Sequence, residues 1–188
     1  LMIYVWPAIG DVVVKGRQAI DWLRKSSRVI SKGFKLDDDP IITWISPSGF
    51  PAAQAYYESV VTRVRVKLSG EQLIRAHSES ADPDINRHAN GLAPNFVHSM
   101  DAAHLHRVSA RMAREVGVNS LAMIHDDYGT HAAHSQRLYE VIREEFVAMY
   151  EENDPIAQFA ERYPGLPKPP EKGKLNIREV LRSRYFFS

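Results

Sequence analysis

At 188 residues the chain is long enough for one large domain or one lobe of a larger protein. Apolar residues make up 44 % and charged residues 25 %, ordinary for a globular chain, and no apolar run approaches the ~20 residues a membrane helix needs. The absence of cysteine excludes a disulfide framework and a thiolate metal site, and a net charge of +1 does not by itself announce a nucleic-acid binder.

The opening residues, Leu1, Met2, Ile3, Tyr4, Val5 and Trp6, lack the basic lead and small-residue cleavage site of a signal peptide and read as buried core. A chain that starts inside an apolar segment is expected to be part of something longer. Residues 12–30 carry a helical period, with Val12, Ala19, Ile20, Leu23 and Ile30 toward a core. Arg17, Arg24, Lys25, Arg28 and Lys32 line the remainder, either as a solvated face or as phosphate contacts. Residues 33–40 read as a break and 41–45 as a strand. Ser46, Pro47, Ser48 and Gly49 have the residue order of a type I turn.

Between 60 and 68, Val60, Thr62, Val64, Val66 and Leu68 alternate with Arg63, Arg65 and Lys67, the period-2 signature of a strand with one packed face. Ser69 and Gly70 can turn the chain, and 72–75 can return it as a hairpin. The basic face suits a ribbon in a DNA groove, and it equally suits a solvated edge protected by Lys and Arg. Residues 76–91 are polar and read as a loop. A helix is expected over 94–116, with Val97, Leu105, Val108, Met112 and Val116 as its apolar stripe and Gly117 as its stop. His98, Asp101 and His104 recur along it at three-residue steps. A short strand at 121–124 follows, and then an amphipathic helix over 135–152 with Leu138, Val141, Ile142, Phe146 and Met149 inward. Asp154 and Pro155 start a further helix, the Asp as cap and the Pro in its first turn. The Pro- and Lys-rich stretch 164–174 leads to a capping-box-like start at Asn176 and Glu179. The terminal Tyr185, Phe186, Phe187 and Ser188 are apolar enough to dock.

The strongest chemical signal is the strand that ends in His125, Asp126 and Asp127, followed by Tyr128 and Gly129. Adjacent carboxylates repel unless a cation neutralises them, and hard divalent ions such as Mg²⁺ prefer such oxygens. The same tetrad also has the composition of a plain hairpin turn. His98, His104, His106, His125, His131 and His134 admit a His/Asp metal site or a set of unrelated surface and core histidines. No Gly-x-Ser-x-Gly nucleophile turn and no phosphate-binding Gly-x4-Gly-Lys-(Ser/Thr) loop occurs.

Three blocks carry a resemblance. The run from Gly91 through Pro94, Asn95, Phe96, Val97, His98, Ser99, Met100 and Asp101 to His104 and Leu105 is similar to the motif that precedes the last palm motif of phage-type single-subunit RNA polymerases. Met123, Ile124, His125, Asp126, Asp127, Tyr128, Gly129 and Thr130 resemble that palm motif itself. Trp44, Ile45, Ser46, Pro47, Ser48, Gly49, Phe50 and Pro51 resemble the family's Trp-x-(Ser/Thr)-Pro-x-Gly-Phe-Pro segment. The terminal Tyr-Phe-Phe-Ser is similar to the ending of the mitochondrial branch. The blocks stand in the family's order and span nearly the whole chain.

The resemblance implies an α+β chain, part of the right-hand polymerase fold. Residues 1–57 would be a helical fingers/palm segment, 58–90 a promoter-reading β-ribbon, and 91–188 the C-terminal palm part. Asp126 would be a catalytic carboxylate holding Mg²⁺, with His125 beside it and His98 near the nascent base pair or incoming ribose. Arg63, Arg65 and Arg75 would face DNA. The partners implied are template and promoter DNA, RNA, ribonucleoside triphosphates and an N-terminal part of the polymerase, in the cytoplasm of an infected or prophage-carrying bacterial cell, without a membrane. The family's other metal Asp and its fingers Lys and Tyr-Gly helix lie upstream and are not among these residues, so the chain alone is expected to be inactive. Met100 departs from many phage members, which have a polar residue there. Competing readings are a His-Asp metallohydrolase and a non-catalytic nucleic-acid-binding subunit of a split polymerase.

Overall fold

The computed structural model describes residues 7, 10–33, 41–67, 71–118, 120–124 and 127–186; the expectations for 1–6, the 34–40 break and the 68–70 turn lie outside these. In chain order the elements are α1 (Val14–Gly33), β1 (Ile41–Ile45), β2 (Pro51–Ala55), β3 (Tyr57–Lys67), β4 (Glu71–Pro83), α2 (Ile85–Arg111), β5 (Ala122–Ile124), β6 (Asp127–Gly129), α3 (Ser135–Glu152) and α4 (Pro155–Arg162). The strands pair as three antiparallel two-stranded sheets, β1–β2, β3–β4 and β5–β6, so the chain mixes helix and strand as an α+β protein does.

Helix α1 buries Trp22 and Leu23 together with Ser26, Ser27 and Ser31, whose small side chains let it lie close against α2. Val12 is not core: it lies in a separate helical turn, 10–12, cut off from α1 by a bend at Val13, and it is 84 % exposed. Hairpin β1–β2 closes through a three-residue loop. The Gly49 N–H donates to Ser46 O (2.8 Å) and the Ser46 N–H to Phe50 O (2.9 Å). Gly49 sits at φ 82°, a left-handed conformation that favours glycine. Strand β2 was not expected from its Pro-Ala-Ala-Gln-Ala composition; cross-strand pairing with Ile41–Ile45 overrides a weak local preference.

The ribbon is longer than its alternation suggested, because β4 continues to Pro83. Residues 76–91 are therefore strand and helix, not loop. Their polarity reflects exposure: residues 58–65 and 72–79 are exposed on both faces, so Val60 and Val64 have no packed face among the described residues. Helix α2 begins at Ile85 rather than near Pro94. Asp84 caps it by accepting the Arg87 N–H at 2.9 Å. Pro94 lies inside the helix, where its missing N–H removes one backbone bond. The buried stripe is Leu92, Phe96, Met100 and Ala103, whereas Val97 is half exposed. A π-helical turn, Met112–Val116, extends α2, and Gly117 at φ 70° ends it as expected.

Two cores result. One joins Trp22, Leu23, Ile42, Trp44, Leu92, Phe96, Met100 and Phe159. Trp44 Nε1 donates to Ser99 Oγ at 2.7 Å, and the Tyr163 hydroxyl bonds both backbone groups of Thr43, so β1 is pinned to α2 and to the end of α4. The other core joins Val108, Met112, Val118, Leu138, Val141 and Ile142. Beside it, Arg107 and Arg111 bind Glu145 at 2.8 and 3.1 Å and tie α2 to α3. Asp154 caps α4 as expected, and Asn176 caps the 3-10 turn Ile177–Arg182. Phe186 stacks edge-on against Phe146 at 4.8 Å, while Tyr185 is 76 % exposed. Among the described residues no helix is long and apolar enough to cross a membrane.

Candidate functional site

Three elements carry the residues singled out by the sequence: hairpin β5–β6, the outer face of α2, and ribbon β3–β4. In the hairpin, Ala122 pairs with Gly129, Met123 with Tyr128 and Ile124 with Asp127. His125 and Asp126, the connecting residues, lie outside the described residues, as do the roles expected of them. Asp127 is the first residue of β6 and is exposed. Leu121, Met123 and Tyr128 pack the hairpin onto the second core, between α2 and α3.

One histidine holds the hairpin in place. The Tyr128 hydroxyl is 3.1 Å from His104 Nδ1, and His104 Nε2 is 2.8 Å from Ile142 O. A carbonyl only accepts, so Nε2 carries the proton; in the neutral ring, the form that burial favours, Nδ1 accepts from the Tyr128 O–H. The ring is thus a neutral brace linking β6, α2 and α3. Burial pushes its pKa below the ordinary 6.5 and outweighs the opposing influence of the Ile142 bond and of Glu145 and Asp101.

His98 does not join His104, whereas Asp101, about one turn before it, is near enough to act on its charge. Both His98 and Asp101 are exposed on the outer face of α2, whereas His104 is 4 % exposed. Six residues along a helix turn the side chain by about 120°, so equal three-residue spacing does not keep the three on one face. His98 points outward because its neighbours are fixed inward: Phe96 stacks on Trp44 at 5.8 Å, and Ser99 donates to Phe96 O at 2.7 Å while accepting from Trp44.

On the ribbon the structure brings the expected arginines together. Arg63 pairs with Arg75 and Arg65 with Leu73, and the two-residue alternation puts these four side chains on one face. That face also carries Val61 opposite His77. Neither Arg63 nor Arg75 makes an ion pair among the described residues. Like charges directly opposite one another weaken a strand pair; the same face also carries Glu79, opposite Ser59.

Among the described residues no three His, Asp or Glu side chains stand close enough to hold a metal ion. Asp127 is a single exposed carboxylate, so the described residues do not by themselves make a magnesium site. Sequence reasoning missed the His104 brace and a second buried histidine, His88, at the ribbon root. Buried histidines leave no period in a sequence; a Gly and an Asn inside a helix, as at Gly91 and Asn95, are the available hint of close packing.

The DNA-dependent RNA polymerase family model matches residues 1–166. The chain is 33 % identical over 204 residues to the DNA-directed RNA polymerase of Enterobacteria phage K11, covering 98 % of this chain and 22 % of that protein. It is 30 % identical over 203 residues to T7 RNA polymerase of Escherichia phage T7, covering 98 % and 23 %. With DNA-directed RNA polymerase 2A of Nicotiana tabacum it shares 32 % over 188 residues, covering 96 % and 53 %. The chain spans less than a quarter of the length of either phage relative. With 166 of its residues matched to one family model, this chain belongs to the DNA-dependent RNA polymerase family.

Proposed function

We propose that the chain is the C-terminal catalytic portion of a DNA-dependent RNA polymerase, adding ribonucleotides to an RNA 3′ end. The observation that carries this reading is the family match over 1–166, which takes in both the cationic ribbon and the braced β5–β6 hairpin. The division follows: residues 1–57 contribute to fingers and palm of a right-hand fold, 58–90 form the promoter-reading ribbon, and 91–188 complete the palm. DNA template and promoter, RNA and ribonucleoside triphosphates are the partners.

In this reading Asp126, at the connection of β5 and β6, is the metal carboxylate, and His125 is its neighbour. Mg²⁺ would supply positive charge where phosphoryl transfer develops negative charge. The chain's own residues do the rest of the work at this end. The exposed His98 faces the incoming ribose or nascent base pair, and Arg63, Arg65 and Arg75 bind duplex DNA. Tyr128 and His104 hold the hairpin against α2, a rigid support of the kind a catalytic constellation needs. The residues of the remaining polymerase supply the other metal ligands, and the 188 residues alone do not extend RNA.

Mixing this chain with a polypeptide carrying the upstream fingers and palm motifs, then assaying RNA synthesis on a primed template, tests the reading. Synthesis by the mixture and by neither part alone is expected. A mixture that binds DNA without synthesis under conditions where an intact polymerase extends favours a non-catalytic nucleic-acid-binding subunit.

A further inference from the structure

The ribbon β3–β4 stands away from both cores. Residues 58–65 and 72–79 are exposed, so side-chain packing does not set its direction. That direction is set at its root, and the root is polar and buried. Tyr56 is the single residue between β2 and β3. Its C=O accepts the Asp84 N–H at 3.0 Å, closing the root across to the end of β4. Its N–H donates to His88 Nε2 at 3.2 Å, in the first turn of α2. Gln54, the last buried residue before Tyr56, donates to His88 O at 3.1 Å and lies 3.1 Å from His88 Nδ1. Asn95, two turns along α2, donates to Gln54 Oε1 at 2.8 Å and to the Tyr56 hydroxyl at 3.3 Å. The Tyr56 ring meets the His88 ring edge-on at 5.4 Å and has the Arg87 guanidinium 4.8 Å from its centre.

Each of these bonds is directional, and His88 is fully buried, so the set admits far fewer ribbon poses than an apolar contact would. Gly91 permits it: a Cβ there would come 2.8 Å from Tyr56 Cε2. We infer that His88 is the positioning residue of the ribbon, fixing its angle to α2 through the Tyr56 backbone and the Gln54 side chain. Because α2 also carries His98, this fixes the ribbon relative to the face proposed for the incoming nucleotide. The geometry stands alone; its consequence for promoter use rests on the proposed function.

The chain has no cysteine, so nitroxide labels on two introduced cysteines report one distance. Thr62→Cys on the ribbon with Ala113→Cys beyond α2 gives the test pair, and Lys25→Cys with Ala113→Cys gives a control within the body. All three positions are exposed. His88→Ala is expected to broaden the ribbon distance distribution and leave the control narrow. His88→Gln, whose amide oxygen can accept the Tyr56 N–H, is expected to restore it. Should His88→Ala fail to fold, Asn95→Ala, which removes only the outer bonds, is expected to broaden the ribbon distance in part. A ribbon distribution as narrow as wild type in the folded variant, or equal broadening of the control, overturns the inference. So does a His88→Gln variant as broad as His88→Ala. In the full-length polymerase, promoter-dependent initiation is expected to fall in His88→Ala while extension of a primed template persists. If the ribbon loosens and promoter use is unchanged, the positioning role stands and the DNA-reading role of the ribbon falls.

Discussion

Arg63 lies directly opposite Arg75 across the ribbon, with Arg65 two residues on along the same face. A like-charge cross-strand pair destabilises its own ribbon, so in the proposed function stability and DNA binding pull in opposite directions here. Arg75→Glu turns the repulsion into attraction and is expected to stabilise the ribbon by ~0.2–1 kcal/mol while weakening DNA binding and flattening its salt dependence. Thermal melts and binding titrations at several salt concentrations read both. In the full-length polymerase, Arg63→Ala or Arg65→Ala is expected to cost ~1–3 kcal/mol at one promoter position and to spare non-specific elongation. Unchanged promoter preference in both variants would return the ribbon to a solvated edge.

The His104 brace makes a pH prediction. Its folded-state pKa lies below the ordinary 6.5, so below that value the unfolded chain takes up the proton first. Stability is therefore full above 6.5 and declines as pH falls from 6.5 through the lowered folded value. His104→Gln can keep a donor toward Ile142 O and an acceptor toward Tyr128 but does not titrate. Urea denaturation at pH 7.5 and 5.5 is expected to show a smaller acid loss in His104→Gln than in wild type. Equal losses would show that His104 does not contribute to the acid sensitivity.

Gly91→Ala sets two effects against each other. Helix propensity favours the alanine by ~0.8–1.0 kcal/mol, but its Cβ meets Tyr56 Cε2 at 2.8 Å and Gln54 Oε1 at 3.3 Å. Overpacking of this kind costs ~1–3 kcal/mol, so net destabilisation is expected, measured as a lowered denaturation midpoint. A raised midpoint would mean that Tyr56 moves aside freely.

How much of this was legible varied with how each residue is held. Helix α3 was read at its true bounds because Leu138, Val141, Ile142 and Met149 recur at helical spacing on a one-sided helix. The arginine face of the ribbon was read from strict alternation. The start of α2 was not, because Asn86, Arg87, His88 and Asn90 present no apolar period; the cap at Asp84 and the buried contacts of His88 hold that turn. Val97 was misplaced because it shares a helix face with the buried Val108, to within about 20°, while the cores that cover α2 differ along its length: Phe96 and Met100 enter the first, Val108 and Met112 the second. The buried His104 and the exposed His98 look alike in sequence, since only the packing of β6 and α3 tells them apart.

The last prediction concerns Asp126. It joins β5 to β6 and adjoins Asp127, which is exposed and opposite Ile124. One carboxylate pair seldom makes a magnesium cage, since the ion keeps waters and shares substrate phosphates, so weak Mg²⁺ binding by the isolated chain is expected. In the full-length polymerase Asp126→Asn preserves shape and removes charge. It is expected to abolish nucleotide addition and to leave promoter binding nearly intact, because in the proposed function the charge acts on the transition state and the ribbon acts on DNA. Asp127→Asn is expected to be milder, as the proposed function puts the required ligand at Asp126. Single-nucleotide extension of a primed template, with promoter binding measured in parallel, separates the two. Extension by Asp126→Asn at the wild-type rate would remove the catalytic assignment, and loss of promoter binding with it would mean that the substitution disturbs the fold instead.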